Sequence, residues 1–208
     1  MCYYFNLDLM QKTQLALFPL QLFLLPGETT KLHIFEERYQ QLLFDCEDVR
    51  ISFGIPFTEN GTLTGYGSMV NLKKVISRNK NGSADIEIEA IGIFKVESFF
   101  LRMGEKLYPG GDVVIIDQEK APLVSNKLFS AFNAYMLESD RQIAPESFSA
   151  DLNLLNLARM LSLPDSKKID LLKLKSHAEM ERYLIDEIRM RSLMLKQKNS
   201  IEHNIFLN

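Results

Sequence analysis

All ten glycines of the 208-residue chain lie within its first 111 residues, and this distribution constrains the fold more than any other feature. Glycine supplies the positive φ angles of tight turns, whereas it is unfavourable inside helices. The glycine-containing part is therefore typical of strands joined by short turns, and the rest is typical of helices. We predict an α+β fold with two subdomains, β-rich residues 1–118 and helical residues 119–208.

Two dipeptides and several short apolar segments define the β-rich half. Asn60-Gly61 and Asn81-Gly82 are typical of type I′ hairpin turns, which need positive φ at two successive residues. About six short strands with such turns predict a small β-barrel or a pair of curled sheets. The predicted strand segments are residues 15–18, 22–25, 69–72, 84–99 and 113–116.

Within segment 84–99 the apolar residues change from one side of the strand to the other. Ile86 and Ile88 alternate with acidic residues, as in a strand with one solvated face. Around Gly92 the alternation is reversed, and Ile93 belongs to the opposite parity. One inserted residue has this effect on a strand, so the pattern predicts a β-bulge near Gly92.

One helix is predicted inside the β-rich half, from residue 34 to residue 48. Four apolar residues share one of its faces at helical spacing, and polar residues fill the other side. The predicted buried face consists of Phe35, Tyr39, Leu42 and Cys46. Glu36 and Arg38 lie two residues apart and would not face each other on a helix, so each would pair elsewhere.

The glycine-free second half predicts four helices. Pro164 ends one of them, and Asp165 is a typical N-cap for the next. Ser176 and Glu179 have the spacing of a capping box at the start of the last helix. The predicted helices span residues 122–139, 149–162, 165–175 and 177–198.

The sequence lacks the common motifs of catalysis and of metal or nucleotide binding. Its two cysteines and three histidines are too widely spaced for a CxxC or HxxxH metal site. It also lacks the GxxxxGK(S/T) loop that binds nucleotide phosphates. We therefore predict a protein that is not an enzyme and has no catalytic residue, metal or cofactor.

The N-terminal segment and the hydropathy of the chain predict a cytoplasmic location. The first ten residues carry no positive charge, and Asp8 interrupts their apolar character, so no signal peptide is expected. The longest apolar segment, residues 15–26, contains two prolines and is too short to cross a membrane. We therefore expect no interaction with a membrane.

Three short motifs lie between residues 17 and 39. They are Leu17-Phe18-Pro19-Leu20, Leu25-Pro26-Gly27, and Leu32-His33-Ile34-Phe35-Glu36 followed by Arg38-Tyr39. Together these motifs resemble the N-terminal domain of the Lon protease family, and the resemblance extends over roughly residues 14–190. Leu25 stands where the family typically has phenylalanine, and the strand around Ala90 and Ile93 departs further from the family pattern.

The resemblance implies a PUA-like β-barrel with one interrupting helix, followed by a C-terminal helical bundle. In the Lon family this domain is implicated in recognising substrate polypeptides and in holding subunits together. The family's ATPase and peptidase modules do not fit in these 208 residues. We therefore expect a stand-alone, non-catalytic Lon-type domain that binds unfolded or degron-bearing polypeptides, or a separate protease or chaperone. Whether it forms a homo-oligomer is left open.

Six residues are candidates for contact with a polypeptide or partner protein. Four belong to an apolar segment that ends the predicted strand 84–99, and two are charged residues on the predicted helix. The candidates are Glu37, Arg38, Phe99, Phe100, Leu101 and Met103. For the apolar members, packing inside the core is the alternative. Structural roles are predicted for the motif residues Phe18, Pro19, Pro26, Gly27, His33, Phe35, Glu36 and Tyr39.

Two other functions are alternatives to polypeptide binding. PUA-like barrels include RNA-binding modules, and residues 182–198 hold five basic and two acidic residues. The whole chain has a net charge of -3 and a pI near 5.7, which ranks nucleic-acid binding below polypeptide binding. A small hydrolase would need a nucleophile beside a base, and the sequence offers no such pair.

Overall fold

The computed structural model of this chain describes residues 12–117, 121–139 and 152–206. These residues form two compact units. The β unit comprises residues 12–117 and 164–169, and the helical unit comprises the other described residues. The predicted boundary between residues 118 and 119 lies outside the described residues.

The β unit contains six strands and one helix within the described residues. The strands are β1 Lys12–Leu17, β2 Thr29–Ile34, β3 Phe53–Glu59, β4 Thr62–Arg78, β5 Ala84–Phe100 and β6 Gly110–Ile116. They are ordered β2-β5-β4-β3-β1-β6, and β5 also pairs with β6, so the last five strands of this order close into a barrel. The β1–β3 pair is parallel, and the other pairs are antiparallel. The predicted α+β class with a barrel-like β half is confirmed.

The long strands β4 and β5 extend beyond the barrel as a hairpin, and β2 pairs with the outer part of β5. The predicted bulge is present, because Met69 is opposite Gly92 whereas Val70 is opposite Ala90. Ile91 is thus the extra residue, and its side chain is exposed. Because of the inserted residue, the even-numbered residues Ile88 and Phe94 face opposite sides of the sheet and lie in two different hydrophobic cores.

Three glycines make room for two large side chains inside the barrel. Phe94 on β5 and Leu17 on β1 are fully buried. A Cβ atom at Gly54 or Gly67 would overlap the Phe94 ring, and one at Gly111 would lie 2.7 Å from Leu17 Cδ1. Close approach of strands therefore requires glycine at these positions, which is a packing requirement rather than one of backbone conformation.

Segment 22–25 is an irregular loop, so the prediction of a strand there is wrong. Side chains satisfy its backbone instead of a neighbouring strand. The Ser68 hydroxyl accepts a hydrogen bond from Leu24 N–H and donates one to the Leu24 carbonyl, both over 2.8 Å. Phe23 N–H donates to the Asp165 carboxylate over 3.0 Å. These partners are remote in sequence, and the local apolar pattern does not report them.

Helix α1, Glu37–Asp48, covers a second core on the outer side of the sheet. Tyr39, Leu42 and Cys46 are buried in this core, as predicted. Phe35 is 64% exposed, so its predicted place in the core is wrong. The helix begins only at Glu37, and Phe35 lies in the extended connection that follows β2, where helical spacing does not apply.

The described residues after β6 form four helices. The helices after α1 are α2 Asn126–Glu138, α3 Leu154–Met160, α4 Asp165–Lys173 and α5 His177–Phe206. Ser125 and Asn153 cap α2 and α3 by accepting hydrogen bonds from backbone N–H groups. The first half of α4 belongs to the β unit, and its second half belongs to the helical unit. None of the helices among the described residues has the length and apolar character needed to span a membrane.

Candidate functional site

The predicted contact segment at the end of β5 divides between core and surface. Phe99 packs against the core inside the barrel, and Met103 packs against the core beneath α1. Leu101, in contrast, is 83% exposed, and Phe100 is partly exposed at the end of the strand. Phe100 and Leu101 are therefore available for contact, whereas Phe99 and Met103 have the alternative role, which is packing in the core.

The loop that follows this segment is fixed to α1 by three side-chain hydrogen bonds. Gln41 accepts a hydrogen bond from the backbone N–H of Leu107 over 2.7 Å. Asp45 accepts one from the Tyr108 hydroxyl over 2.6 Å and pairs with Lys106 Nζ over 2.8 Å. These contacts hold the partly exposed Leu107 side chain beside the outer face of the helix.

Asp45 is a buried carboxylate that remains charged near neutral pH. Burial by itself would raise its pKa, but the hydrogen bonds from Lys106 and Tyr108 and the charge of Lys106 outweigh it and lower the pKa. Burial and the hydrogen bond to Asp45 raise the pKa of the Tyr108 hydroxyl, which therefore stays protonated and continues to donate. The position of the loop is thus stable over the physiological pH range.

The outer face of α1 carries an aromatic side chain among polar ones. Phe44 is 60% exposed, and Gln40 and Gln41 precede it by one helical turn on the same face. Gln40 Nε2 donates to the Phe35 carbonyl over 2.9 Å, and Gln41 bonds to Leu107 as described above. The polar ends of both glutamines are therefore occupied, and their apolar stems border Phe44. We name Phe35, Phe44 and Leu107 the α1 patch.

The sequence-based search missed Phe44. Its position was predictable, because it is an aromatic residue on the otherwise polar side of the helix formed by Tyr39, Leu42 and Cys46. An exposed aromatic residue in that pattern is a stronger indication of a contact surface than an apolar segment near a strand end. Leu107 could not have been found in this way, since its place beside α1 depends on long-range hydrogen bonds.

The two charged candidates lie at the start of α1. Glu37 and Arg38 are both exposed. Arg38 Nη2 pairs with Glu36 Oε2 over 2.6 Å, and its guanidinium carbon lies 4.8 Å from the centre of the Tyr39 ring. The prediction that Glu36 and Arg38 cannot meet is wrong, because Glu36 is the extended N-cap residue and helical geometry begins after it. Arg38 is therefore already engaged by its neighbours.

The motif residues lie in and around the core beneath α1. The Phe18 and Tyr39 rings are in contact, with centroids 3.9 Å apart. Gly27 has a φ of +81°, and its N–H donates to the Ala90 carbonyl over 2.8 Å. His33 Nδ1 lies 2.7 Å from Asp85 Oδ1, at the exposed side of the sheet. Phe18, Tyr39 and Gly27 thus have packing or turn contacts, whereas the rings of His33 and Phe35 are exposed.

Two open grooves of the β unit share Ile51 in their lining. The first has a volume of about 530 Å³ and includes Cys46, Arg50 and Lys74. The second has a volume of about 440 Å³ and includes Met69 and Met103. Burial and the neighbouring Asp45 and Glu47 charges raise the pKa of the Cys46 thiol to about 12, so this groove contains no thiolate nucleophile near neutral pH.

The described residues contain no group of three or more histidine, cysteine or acidic side chains placed to hold a metal ion. The candidate surface is the α1 patch. It consists of apolar side chains held in place by hydrogen-bonded glutamines and by the loop attached to Asp45.

Residues 14–202 match the sequence profile of a family described as the ATP-dependent protease La (LON) substrate-binding domain. The chain belongs to this family. A Lon N-terminal domain protein from Xanthomonas campestris has a similar structure, with a TM-score of 0.62 and 23% identity over 83% of this chain and 97% of that one. The N-terminal domain of a Mycobacterium avium complex Lon protease gives a TM-score of 0.60 and 14% identity over 85% of this chain and 98% of that one. No curated protein sequence matches this chain significantly.

Membership of the LON family confirms the resemblance inferred from the three motifs, and the two solved structures show the shared fold. The basic segment of α5, in contrast, gives no support to RNA binding. Arg191 donates to the Leu161 carbonyl over 2.6 Å, and Lys196 pairs with Glu138 over 3.3 Å. Arg189 lies 3.3 Å from Asp186 on the same helix. These cations are compensated by acidic side chains and a carbonyl, so they do not form a uniformly basic surface.

Proposed function

We propose that this LON domain binds exposed apolar segments of unfolded or degron-bearing polypeptides at the α1 patch. The observation that carries the proposal is Phe44, a large apolar side chain that stays 60% exposed on a helix whose other apolar residues are buried. The family supports it, because its description is that of a substrate-binding domain. Binding would require no catalytic group, in agreement with the prediction from sequence that this chain is not an enzyme.

The α1 patch suits a partner that has lost its own tertiary structure. Phe35 and Leu107 add apolar surface to the patch, and hydrogen bonds to the side-chain amides of Gln40 and Gln41, one helical turn before Phe44, hold their backbones in place. Burying one aromatic side chain contributes about 1.5–3 kcal/mol, and association itself costs at least about 4 kcal/mol, so two or three such contacts support only weak binding, on the order of millimolar. A folded protein rarely presents enough free apolar side chains to match such a surface.

A separate protease or chaperone would act on the bound polypeptide. The family description names a substrate-binding domain, so we expect a partner protein rather than this domain to carry out ATP-driven unfolding or cleavage. Leu101, which is exposed in the connection between β5 and β6, is another sequence-predicted residue that fits a contact with a client or partner. Pull-down with the purified domain would identify such a protein.

Replacing Phe44 with glutamine should weaken binding of an unfolded model polypeptide about tenfold, because the apolar contact is lost while the helix is retained. The measurement is fluorescence anisotropy with labelled, reduced and alkylated casein. Leu137→Gln is the matched control, since Leu137 is an apolar residue that is 84% exposed on a different helix, α2. Equal affinities of the Phe44→Gln variant and the unsubstituted protein would refute the assignment of this patch.

A further inference from the structure

Strand β2 lies at an open edge of the sheet. It pairs with β5 along its whole length, from Thr29 opposite Glu89 to Ile34 opposite Ala84, without a register shift. No strand among the described residues pairs with its other side. A row of backbone N–H and C=O groups along such an edge can pair with one more extended chain.

The hydrogen bonds at the start of β2 show which backbone groups face outward. Ala90 N–H donates to the Glu28 carbonyl over 2.9 Å. Because hydrogen-bonded residues alternate in an antiparallel pair, Thr30, Leu32 and Ile34 bond to β5. The N–H and C=O groups of the intervening residues therefore point to the open side. These residues are Thr29, Lys31 and His33, and their side chains are exposed.

The other free edge, residues 71–78 of β4, differs from β2 in its protection. It has register shifts after Leu72 and after Val75, and it carries Lys73, Lys74 and Arg78. Bulges and cations are common means of preventing the addition of another strand. Within the described residues, β2 has neither a bulge nor a proline, and Lys31 is its one lysine or arginine.

Lys31 provides charge complementarity for an incoming strand. It has no ion-pair partner among the described side chains. Glu87, the residue opposite Lys31 on β5, is already paired with Lys73 over 3.2 Å and with Lys74 over 3.0 Å. A carboxylate on an added strand would therefore meet an uncompensated ammonium group at Lys31.

The open edge also leads directly into the α1 patch. Phe35 follows β2 at the same parity as Lys31 and His33, and its ring stacks beside the His33 ring with centroids 6.0 Å apart. Phe35 is one of the three residues of the α1 patch. Phe35 therefore connects the open edge of β2 to the surface proposed to bind apolar segments.

We propose that β2 receives an extended segment of the client polypeptide as an additional strand, with an acidic residue beside Lys31 and an apolar residue beside Phe35. This inference rests on the proposed function, since it specifies how the same clients are held. Lys31 and Phe35 are four positions apart, so the acidic and apolar residues of the client are also four positions apart, on one face of its strand.

The direct test is amide hydrogen exchange by NMR on the full chain, with and without a ten-residue peptide that carries Glu and Phe four positions apart. We expect the N–H groups of Lys31 and His33 to exchange at least tenfold more slowly with the peptide bound. Those of Thr30 and Leu32, which already bond to β5, should change little. Peptide binding without this alternating protection would overturn the inference and leave the proposed function intact. Failure of the chain to bind any unfolded polypeptide would instead refute the proposed function.

Two variants of one residue give an independent test. Lys31→Pro removes the outward N–H without breaking the bonds to β5, whereas Lys31→Ala removes the charge and keeps the N–H. We expect Lys31→Pro to bind the peptide at least tenfold more weakly than Lys31→Ala, and equal affinities would overturn the inference. A peptide with Glu and Phe three positions apart should bind more weakly. If the protection of the Lys31 and His33 N–H groups from exchange increases with protein concentration in the absence of peptide, a second copy of the chain occupies the open edge of β2 and the inference is wrong.

Discussion

Replacing Lys168 with methionine is expected to lower the free energy of unfolding by about 3–5 kcal/mol. The side chain is 5% exposed, and its ammonium group has three partners within the β unit. Nζ lies 2.7 Å from Glu28 Oε2, 3.3 Å from Asp165 Oδ1 and 3.1 Å from the Phe23 carbonyl. Methionine fills the space of the stem but leaves two carboxylates and a carbonyl without their cation, and removal of one partner of a buried pair is strongly destabilising.

The matched control for this prediction is Lys173→Met on the same helix. Lys173 is exposed and pairs with Asp170 only over 3.8 Å, so its replacement should change the free energy of unfolding by less than about 0.5 kcal/mol. Urea unfolding followed by circular dichroism measures both variants, because the chain contains no tryptophan for fluorescence. A Lys168→Met variant as stable as Lys173→Met would show that the buried ion cluster does not stabilise the loop at residues 22–25.

Replacing Gly67 with alanine is expected to destabilise the barrel by about 3 kcal/mol, the upper part of the range for overpacking. The added methyl group would overlap the Phe94 ring and lie 2.8 Å from the Ile55 carbonyl oxygen. Phe94 is fully buried, so its ring cannot move into solvent, and the backbone of β3 cannot retreat without breaking its pairing with β4. Strain must therefore appear in the barrel itself.

Gly65→Ala separates this steric effect from the general cost of replacing glycine. Gly65 has a φ of +87° and open space around its Cβ position, so alanine there should cost only about 1 kcal/mol of backbone strain. Phe94→Leu in the Gly67→Ala background should recover part of the lost stability, because the smaller side chain accepts the methyl group. Equal melting temperatures for the Gly67→Ala and Gly65→Ala variants would contradict the close packing around Phe94.

Local patterns predicted those parts of the fold that depend on neighbouring residues. The alternation around Ile88 and Ile93 located the bulge, because a change of parity in one strand has few other causes. The Asn-Gly dipeptides at residues 60–61 and 81–82 predicted the turns between β3 and β4 and between β4 and β5. The three motifs identified the family from residues 17–39 alone, and the family profile confirms the assignment.

Features that depend on remote partners could not be predicted in the same way. The segment at residues 22–25 has the composition of a strand, but Ser68 and Asp165 supply its hydrogen bonds. Phe35 has helical spacing to Tyr39, yet the chain is still extended at that point because β2 continues to Ile34. In both cases a tertiary contact or a neighbouring strand overrides the local pattern.

The candidate site was predicted in part. The segment at the end of β5 was identified from its apolar composition, and Leu101 within it is exposed, but Phe99 and Met103 pack against the cores. Composition alone cannot distinguish these cases, because it does not show which side of a twisted strand meets the core. Phe44 was accessible to sequence reasoning through its position on the polar side of α1, whereas Leu107 depends on its bond to Gln41.

We propose that this domain recognises polypeptides that have lost their tertiary structure. The most direct test is calorimetric titration of the purified, unsubstituted chain with one model protein, in the absence of ATP. The model protein is titrated once in its folded form and once in its reduced, alkylated and unfolded form. We expect saturable binding of the unfolded form with a negative heat-capacity change, which accompanies burial of apolar surface, and no binding of the folded form. Equal binding of both forms, or binding of neither, would contradict it.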